Sequence, residues 1–117
     1  MAEAYSNLGV VFNDQGKLKE SEICQRKAIE IKPEYAEAHS NLGIILRDLG
    51  KLQEAEASFR KAIEIKPDYA EAYYKLGDVL RNLGKLHEAR LCSEKIMSIR
   101  SWSILGSYSF NREMKLD

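Results

Sequence analysis

Residues 36–69 read AEAHSNLGIILRDLGKLQEAEASFRKAIEIKPDY, and this stretch is the unit from which the chain is built. A copy precedes it at residues 2–35, AEAYSNLGVVFNDQGKLKESEICQRKAIEIKPEY, and a third begins at residue 70 as AEAYYKLGDVLRNLGKLHEARLCSEKIMSI. The register is strict, because Gly9, Gly43 and Gly77 stand at intervals of 34 residues. A repeat of this length is typical of a stacked solenoid and not of a domain with one closed core.

Each copy predicts two amphipathic helices and no strand. In residues 36–49 the positions of His39, Leu42 and Leu46 recur at three- and four-residue steps, the spacing of one helical face. The second helix is expected from residue 52 to about residue 65, with Ala55 and Phe59 on its apolar side.

Glycine and proline mark the ends of these helices. Gly50 can adopt the left-handed conformation that closes the first helix, and Gly16 and Gly84 stand at the same place in the other copies. Pro67 ends the second helix, because proline lacks a backbone N–H and disfavours a helical residue before it. Gly43 leaves room where two helices cross, so their backbones can approach closely.

The copies resemble the tetratricopeptide repeat (TPR), whose pattern is W-x2-L-G-x2-Y…A-x3-F…P. The second copy supplies its positions as His39, Leu42, Gly43, Leu46, Ala55, Phe59, Ala62 and Pro67. The third copy departs from the pattern after Ala89 and ends with Ser101 in place of the proline. The resemblance implies an all-α protein, an α-solenoid of three antiparallel helix-turn-helix repeats in a right-handed superhelix. We expect one domain over residues 1–117, with repeats at 2–35, 36–69 and 70–100.

After residue 100 the period fails. The remainder, RSWSILGSYSFNREMKLD, keeps a W-x2-L-G spacing at Trp102, Leu105 and Gly106, but about five residues early. We therefore predict a terminal capping helix over residues 101–115, with Ser101 as its N-cap. Trp102, Leu105 and Phe110 would face inward. The alternative is a solvated tail, or the lead into a further domain.

Composition narrows the class of partner. The 117 residues contain 18 basic and 18 acidic side chains, so net charge gives no support for binding nucleic acid or an anionic membrane. No apolar run approaches the length of a membrane span, and residues 1–9 do not read as a secretory signal. Cys24 and Cys92 occupy the same place two repeats apart, roughly 20 Å, which is too far for a disulfide. These features predict a cytoplasmic protein.

No cluster of residues suggests catalysis. His39 stands where the other copies have Tyr5 and Tyr73, so we interpret it as a packed aromatic residue. The sequence contains no C-x2-C or H-E-x-x-H motif and no glycine-rich phosphate loop. We predict a protein that is not an enzyme and has no metal or cofactor.

The remaining candidate is a surface. In the family that the chain resembles, the first helices of the repeats line a concave groove that binds extended peptides or partner helices. The resemblance assigns to this groove Glu3, Asn7, Val10, Glu37, Asn41, Ile44, Arg47, Glu71, Tyr74, Lys75, Asp78 and Arg81, together with Ser6, Asn13, Ser40, Asp48 and Asn82.

Two binding modes of the family can be compared with these residues. In the first, lysines and asparagines hold a C-terminal carboxylate, and the corresponding positions here are Ser6, Val10, Asn41, Glu71 and Lys75. Only Asn41 and Lys75 fit, and Glu71 would repel the carboxylate. In the second, stacked asparagines grip a peptide backbone, since an amide offers both a donor and an acceptor. Asn7 and Asn41 match this ladder, and Lys75 interrupts it.

These observations favour an interaction scaffold that binds a protein or peptide partner in the groove. Two alternatives stay open. The chain could be a self-associating module that pairs end to end or exchanges tails, because a stack of three repeats exposes apolar faces unless its ends are covered. It could also be the accessory array of a larger enzyme whose catalytic domain lies elsewhere.

Overall fold

The computed structural model describes the backbone of residues 1–116 and the side chains of residues 1–101. In this part of the chain there are six helices and no strand. The helices are α1 (Ala2–Asp14), α2 (Leu18–Ile31), α3 (Ala36–Asp48), α4 (Leu52–Ile65), α5 (Ala70–Asn82) and α6 (Leu86–Leu116). The all-α prediction is confirmed, and the helix ends of the second copy agree with the predicted ones to within one residue.

Left-handed glycines close the first helix of every pair. Gly16, Gly50 and Gly84 have φ angles of 77°, 82° and 79°. A side chain would be strained at these angles, so glycine allows a tight turn before the next helix begins two residues later. The chain therefore folds back on itself in each repeat, and the two helices of a pair pack antiparallel.

The helices stack in chain order. The helices of each pair contact each other, α2 also contacts α3, and α4 also contacts α5. The first helices α1, α3 and α5 lie side by side. A hydrophobic core cluster runs through α3, α4, α5 and α6 and includes Leu42, Leu46, Phe59, Leu76 and Leu80. Each of these side chains stabilises the fold by about 1.5–3 kcal/mol through its removal from water. Because the cluster spans four successive helices, the core is a continuous layer along the stack.

The glycines at the helix crossings are not equivalent. A Cβ at Gly43 would collide with the ring of Phe59, and one at Gly9 would collide with the side chain of Gln25. At Gly77 the nearest atom would be the Cβ of Cys92 at 3.6 Å, an ordinary contact. The third crossing has this room because Ser93 replaces the ring of Phe59.

The C-terminal region differs from the prediction. Residues 101–115 are helical as expected, but they continue α6 without a break from Leu86 to Leu116. The assignment of Ser101 as the N-cap of a new helix is wrong. The physical reason is that the third copy has serine where Pro33 and Pro67 follow α2 and α4, so nothing stops the helix. The predicted inward orientation of Trp102, Leu105 and Phe110 lies outside the described side chains.

Cys24 and Cys92 are buried free thiols, and burial raises the pKa of both. His39 is half-buried, with its Nε2 2.9 Å from the carbonyl oxygen of Pro33. In the described residues no three His, Cys, Asp or Glu side chains are grouped as a metal site would require. None of the described helices has the length and apolarity needed to cross a membrane.

Candidate functional site

The predicted groove residues lie on the side-by-side first helices α1, α3 and α5. Where α1 and α3 meet over α2, the structure forms a cleft of about 170 Å³. Four residues that the resemblance assigned to the groove line it: Val10, Asn13, Asn41 and Ile44. Its lining also includes Ser21, Gln25 and Ile45. The structure therefore places these four side chains around one cleft, and their role in binding stays a prediction.

Most of the assigned side chains are open to solvent. The exposed ones are Glu3, Asn7, Val10, Glu37, Asp48, Glu71, Tyr74, Arg81 and Asn82. The half-buried ones are Asn13, Asn41, Ile44, Arg47, Lys75 and Asp78.

Two serines assigned to the groove do not line it. Ser6 and Ser40 are each only 2% exposed. Ser6 faces inward to Gln25 of α2, because one step along a helix turns a side chain by about 100° from its neighbour. A small polar residue gives no apolar periodicity that would reveal this burial from sequence alone.

A buried polar cluster lies beneath the cleft. Ser6 Oγ donates to Gln25 Oε1 at 2.8 Å, and Gln25 Nε2 donates back to the carbonyl oxygen of Ser6 at 2.9 Å. Asn41 Nδ2 donates to Ser6 Oγ at 3.3 Å and so joins α3 to α1. Ser21 donates its hydroxyl proton to the carbonyl oxygen of Gly9. The repeat pattern does not predict this cluster, and its one signal in the sequence is Gln25 at the position of Phe59.

The cluster changes the role of Asn41. One amide N–H already serves the contact with Ser6. An asparagine amide has a second N–H and a carbonyl oxygen, so Asn41 keeps one donor and one acceptor for a ligand. This part-buried hydrogen bond orients the amide before any ligand binds.

Glu3, Glu37 and Glu71 stand at the same place in the three copies and form an acidic row, which is partly neutralised within the protein. Lys32 Nζ lies 3.5 Å from Glu3 and over the ring of Tyr35. One repeat later, Lys66 Nζ lies 4.0 Å from Glu37 and over the ring of Tyr69. A lysine between a carboxylate and an aromatic face satisfies both groups. The row is therefore less attractive to a basic ligand than its three glutamates suggested.

The α5 end of the groove contains further charges. Arg81 pairs with Asp78 one turn earlier on α5. Lys75 Nζ lies 5.9 Å from the ring centre of the adjacent Tyr74. Tyr74 is 57% exposed, so a large aromatic side chain stands open beside the Lys75 cation.

The opposite side of the stack carries two related clefts. One, of about 540 Å³, lies between α4, α5 and α6 and is lined by residues that include Arg60, Tyr73, Leu91 and Cys92. The other, of about 390 Å³, is lined by the residues one repeat earlier, which include Arg26, His39, Ala57 and Ser58. Sequence reasoning did not find them, because they arise from the spacing between second helices and not from a motif.

Together, the left-handed glycines, the helix pairs and the side-by-side first helices define a helical-repeat array with an open groove. Tetratricopeptide repeat models match residues 2–35 and 70–101, and residues 24–57. A TPR repeat model matches residues 43–84. The chain belongs to the tetratricopeptide repeat family.

Solved structures give the same fold. The first TPR of Spaghetti (RPAP3), bound to the HSP90 peptide SRMEEVD, is 26% identical with a TM-score of 0.82, and the match covers 84% of this chain and 78% of that one. The second TPR of Spaghetti (RPAP3), bound to the same peptide, is 26% identical with a TM-score of 0.81 and coverages of 84% and 91%. MamA is 26% identical with a TM-score of 0.85 and coverages of 88% and 60%, so the match spans only about three-fifths of that protein. No curated protein matches this chain in sequence.

Proposed function

We propose that this chain is a non-catalytic interaction module that binds an extended peptide in the groove formed by α1, α3 and α5. The observation that carries the proposal is the cleft between α1 and α3. It presents apolar Val10 and Ile44 beside the pre-oriented amide of Asn41. Apolar contact supplies affinity there, and the amide can pair with a peptide unit of any sequence.

The neighbouring structures support peptide binding as the mode, since two of them hold an HSP90 peptide. The residues of this groove favour a different ligand. At the positions that would hold a C-terminal carboxylate, Ser6 is buried, Val10 is apolar and Glu71 is acidic. We infer that this groove binds the backbone of a peptide and not an acidic C-terminus.

The experiment is selection from a displayed library of unstructured peptides, followed by titration of the selected peptides. Asn41→Ala should weaken them by about 2- to 10-fold, the factor that corresponds to one hydrogen bond of about 0.5–1.5 kcal/mol. Asn7→Ala should have a similar effect. The peptide SRMEEVD should bind more weakly than the selected peptides.

A matched control is Gln53→Ala, which removes an exposed amide from α4, outside the groove. It should leave the affinity unchanged. Equal affinities of the wild type and the Asn7→Ala/Asn41→Ala variant would contradict the groove as the site.

Cytoplasmic location stays a prediction from the sequence.

A further inference from the structure

The junction between the second and third repeats is bridged by two ion pairs. Lys85 Nζ, in the turn before α6, donates to Glu56 of α4 at 3.1 Å. Arg60 of α4 lies 3.8 Å from Glu88 of α6. Along the chain, the second repeat therefore carries an acidic and then a basic residue, Glu56 and Arg60. The third repeat carries a basic and then an acidic residue, Lys85 and Glu88, so opposite charges face each other.

The first junction has the same order of charges. The first repeat carries Glu22 and Arg26 on α2, and the second repeat carries Lys51 and Glu54 at its second helix. Glu22 and Arg26 pair with each other at 2.9 Å. Ion pairs across the stack are thus formed at the second junction, and the first junction shares its order of charges in the sequence.

The last repeat reverses this order. At the positions of Glu56 and Arg60, α6 carries Arg90 and Glu94. Both side chains are exposed, and Arg90 also lies 3.5 Å from His87 of the same helix. At the other end of the stack the first repeat keeps the usual order, with exposed Lys17 and Glu20.

Apolar contact alone would favour stacking of one copy on another. Leu8 and Val11 of α1 are 45% and 49% exposed, whereas Leu42 and Ile45, one repeat later, are 5% and 1% exposed beneath their neighbours. At the far end, Leu86 and Met97 are each 67% exposed. The equivalent residues of α4, Leu52 and Ile63, pack against the core. The exposed apolar residues at the two ends of the stack are therefore the equivalents of those that pack against each other between neighbouring repeats.

We propose that Arg90 and Glu94 prevent a second copy of this chain from stacking head to tail on α6. In the geometry of the internal junction, Arg90 would face Lys17 of the second copy, and Glu94 would face Glu20 of the second copy. Like charges across an otherwise complementary surface exclude one partner without removing the surface. The α6 end instead fits a helix pair that carries an acid opposite Arg90 and a base opposite Glu94.

Four versions of the 117-residue chain test this by sedimentation velocity over a concentration series. They are the wild type, Arg90→Glu/Glu94→Arg, Lys17→Glu/Glu20→Lys, and the quadruple variant. In each double variant, opposite charges would face each other across the contact between two copies. In the quadruple variant, like charges would face each other again, as in the wild type. The double variants should associate at least about tenfold more tightly than the wild type and the quadruple variant. The gain should vanish at about 1 M salt, where exposed charges are screened.

The pattern of the four proteins distinguishes charge matching from general stickiness. A wild type or a quadruple variant that associates as tightly as the double variants would overturn the proposal, as would a gain that persists at high salt. Adding Leu8→Glu to Arg90→Glu/Glu94→Arg removes the apolar half of the junction and should abolish the association. If it does not, another surface is responsible and the proposal fails. We expect every variant to fold, because each changed side chain is exposed. Circular dichroism checks this.

Discussion

The ring of Phe59 lies so close to Gly43 that a Cβ at position 43 would be 2.8 Å from it. Gly43→Ala must therefore displace the ring of Phe59, which is fully buried. We expect the free energy of unfolding to fall by about 1–2 kcal/mol, the cost of overpacking less the better helix propensity of alanine. Urea denaturation followed by circular dichroism measures the change.

Gly77→Ala is the matched control, because the same substitution at the third crossing meets no atom closer than 3.6 Å. Here the helix propensity of alanine should dominate, and stability should be unchanged or rise by up to about 1 kcal/mol. A similar loss at both positions would show that the contact with Phe59 is not the cause.

Gln25 and Ser6 should be energetically coupled. Gln25→Ala leaves the buried hydroxyl of Ser6 without its acceptor and opens a cavity, so we expect a loss of about 1–3 kcal/mol. Ser6→Ala leaves Gln25 with an unpaired oxygen. The double variant should lose less than the sum of the two, with a coupling of about 0.5–3 kcal/mol in a double-mutant cycle. Strict additivity would indicate that the two side chains act independently.

The sequence predicted most of the fold because each feature is repeated at a fixed interval. Gly50 and Pro67 mark the turns locally, and the apolar period around Leu42 and Phe59 defines which faces pack. It did not predict the burial of Ser6, whose partner lies on another helix and replaces an aromatic residue. Local patterns give the direction of apolar side chains, but a buried polar side chain depends on a partner from elsewhere.

At the C-terminal part of α6, a local sequence pattern predicted a feature that the structure does not contain, the start of a new helix at Ser101. The spacing of Trp102 and Leu105 predicts a new helix, whereas the missing proline at Ser101 predicts that the preceding helix continues. A helix continues until something stops it, and Ser101 has an N–H and a free φ that proline lacks. The absence of a helix breaker was the stronger local evidence.

Ser101→Pro restores the proline of the earlier repeats inside α6. Proline in a helix interior removes a hydrogen bond and costs about 3 kcal/mol or more locally. We expect a loss of helical ellipticity at 222 nm and faster amide hydrogen exchange near residue 101. Ser101→Ala should change neither. An unchanged spectrum for the proline variant would contradict a continuous α6.

Glu56 should make the stability of the stack depend on pH. Burial raises the pKa of Glu56, but hydrogen bonds from Arg60 and Lys85 outweigh it and hold the pKa below the ordinary value of 4.5. A carboxylate with a lowered pKa in the folded state stabilises the protein above the pKa of the unfolded state. This contribution is lost as the pH falls below about 4.5 and through the folded pKa.

Glu56→Gln should therefore lower the melting temperature at pH 7 and flatten its decline between about pH 5 and pH 3. Thermal unfolding at a series of pH values measures both. Glu22→Gln is the matched control, since Glu22 stands at the same place in the first repeat and pairs with Arg26 of its own helix at 2.9 Å. It should have the smaller effect, because that ion pair stays within one helix while Lys85 joins two repeats through Glu56. Parallel pH profiles for wild type and Glu56→Gln would show that this carboxylate does not hold the junction together.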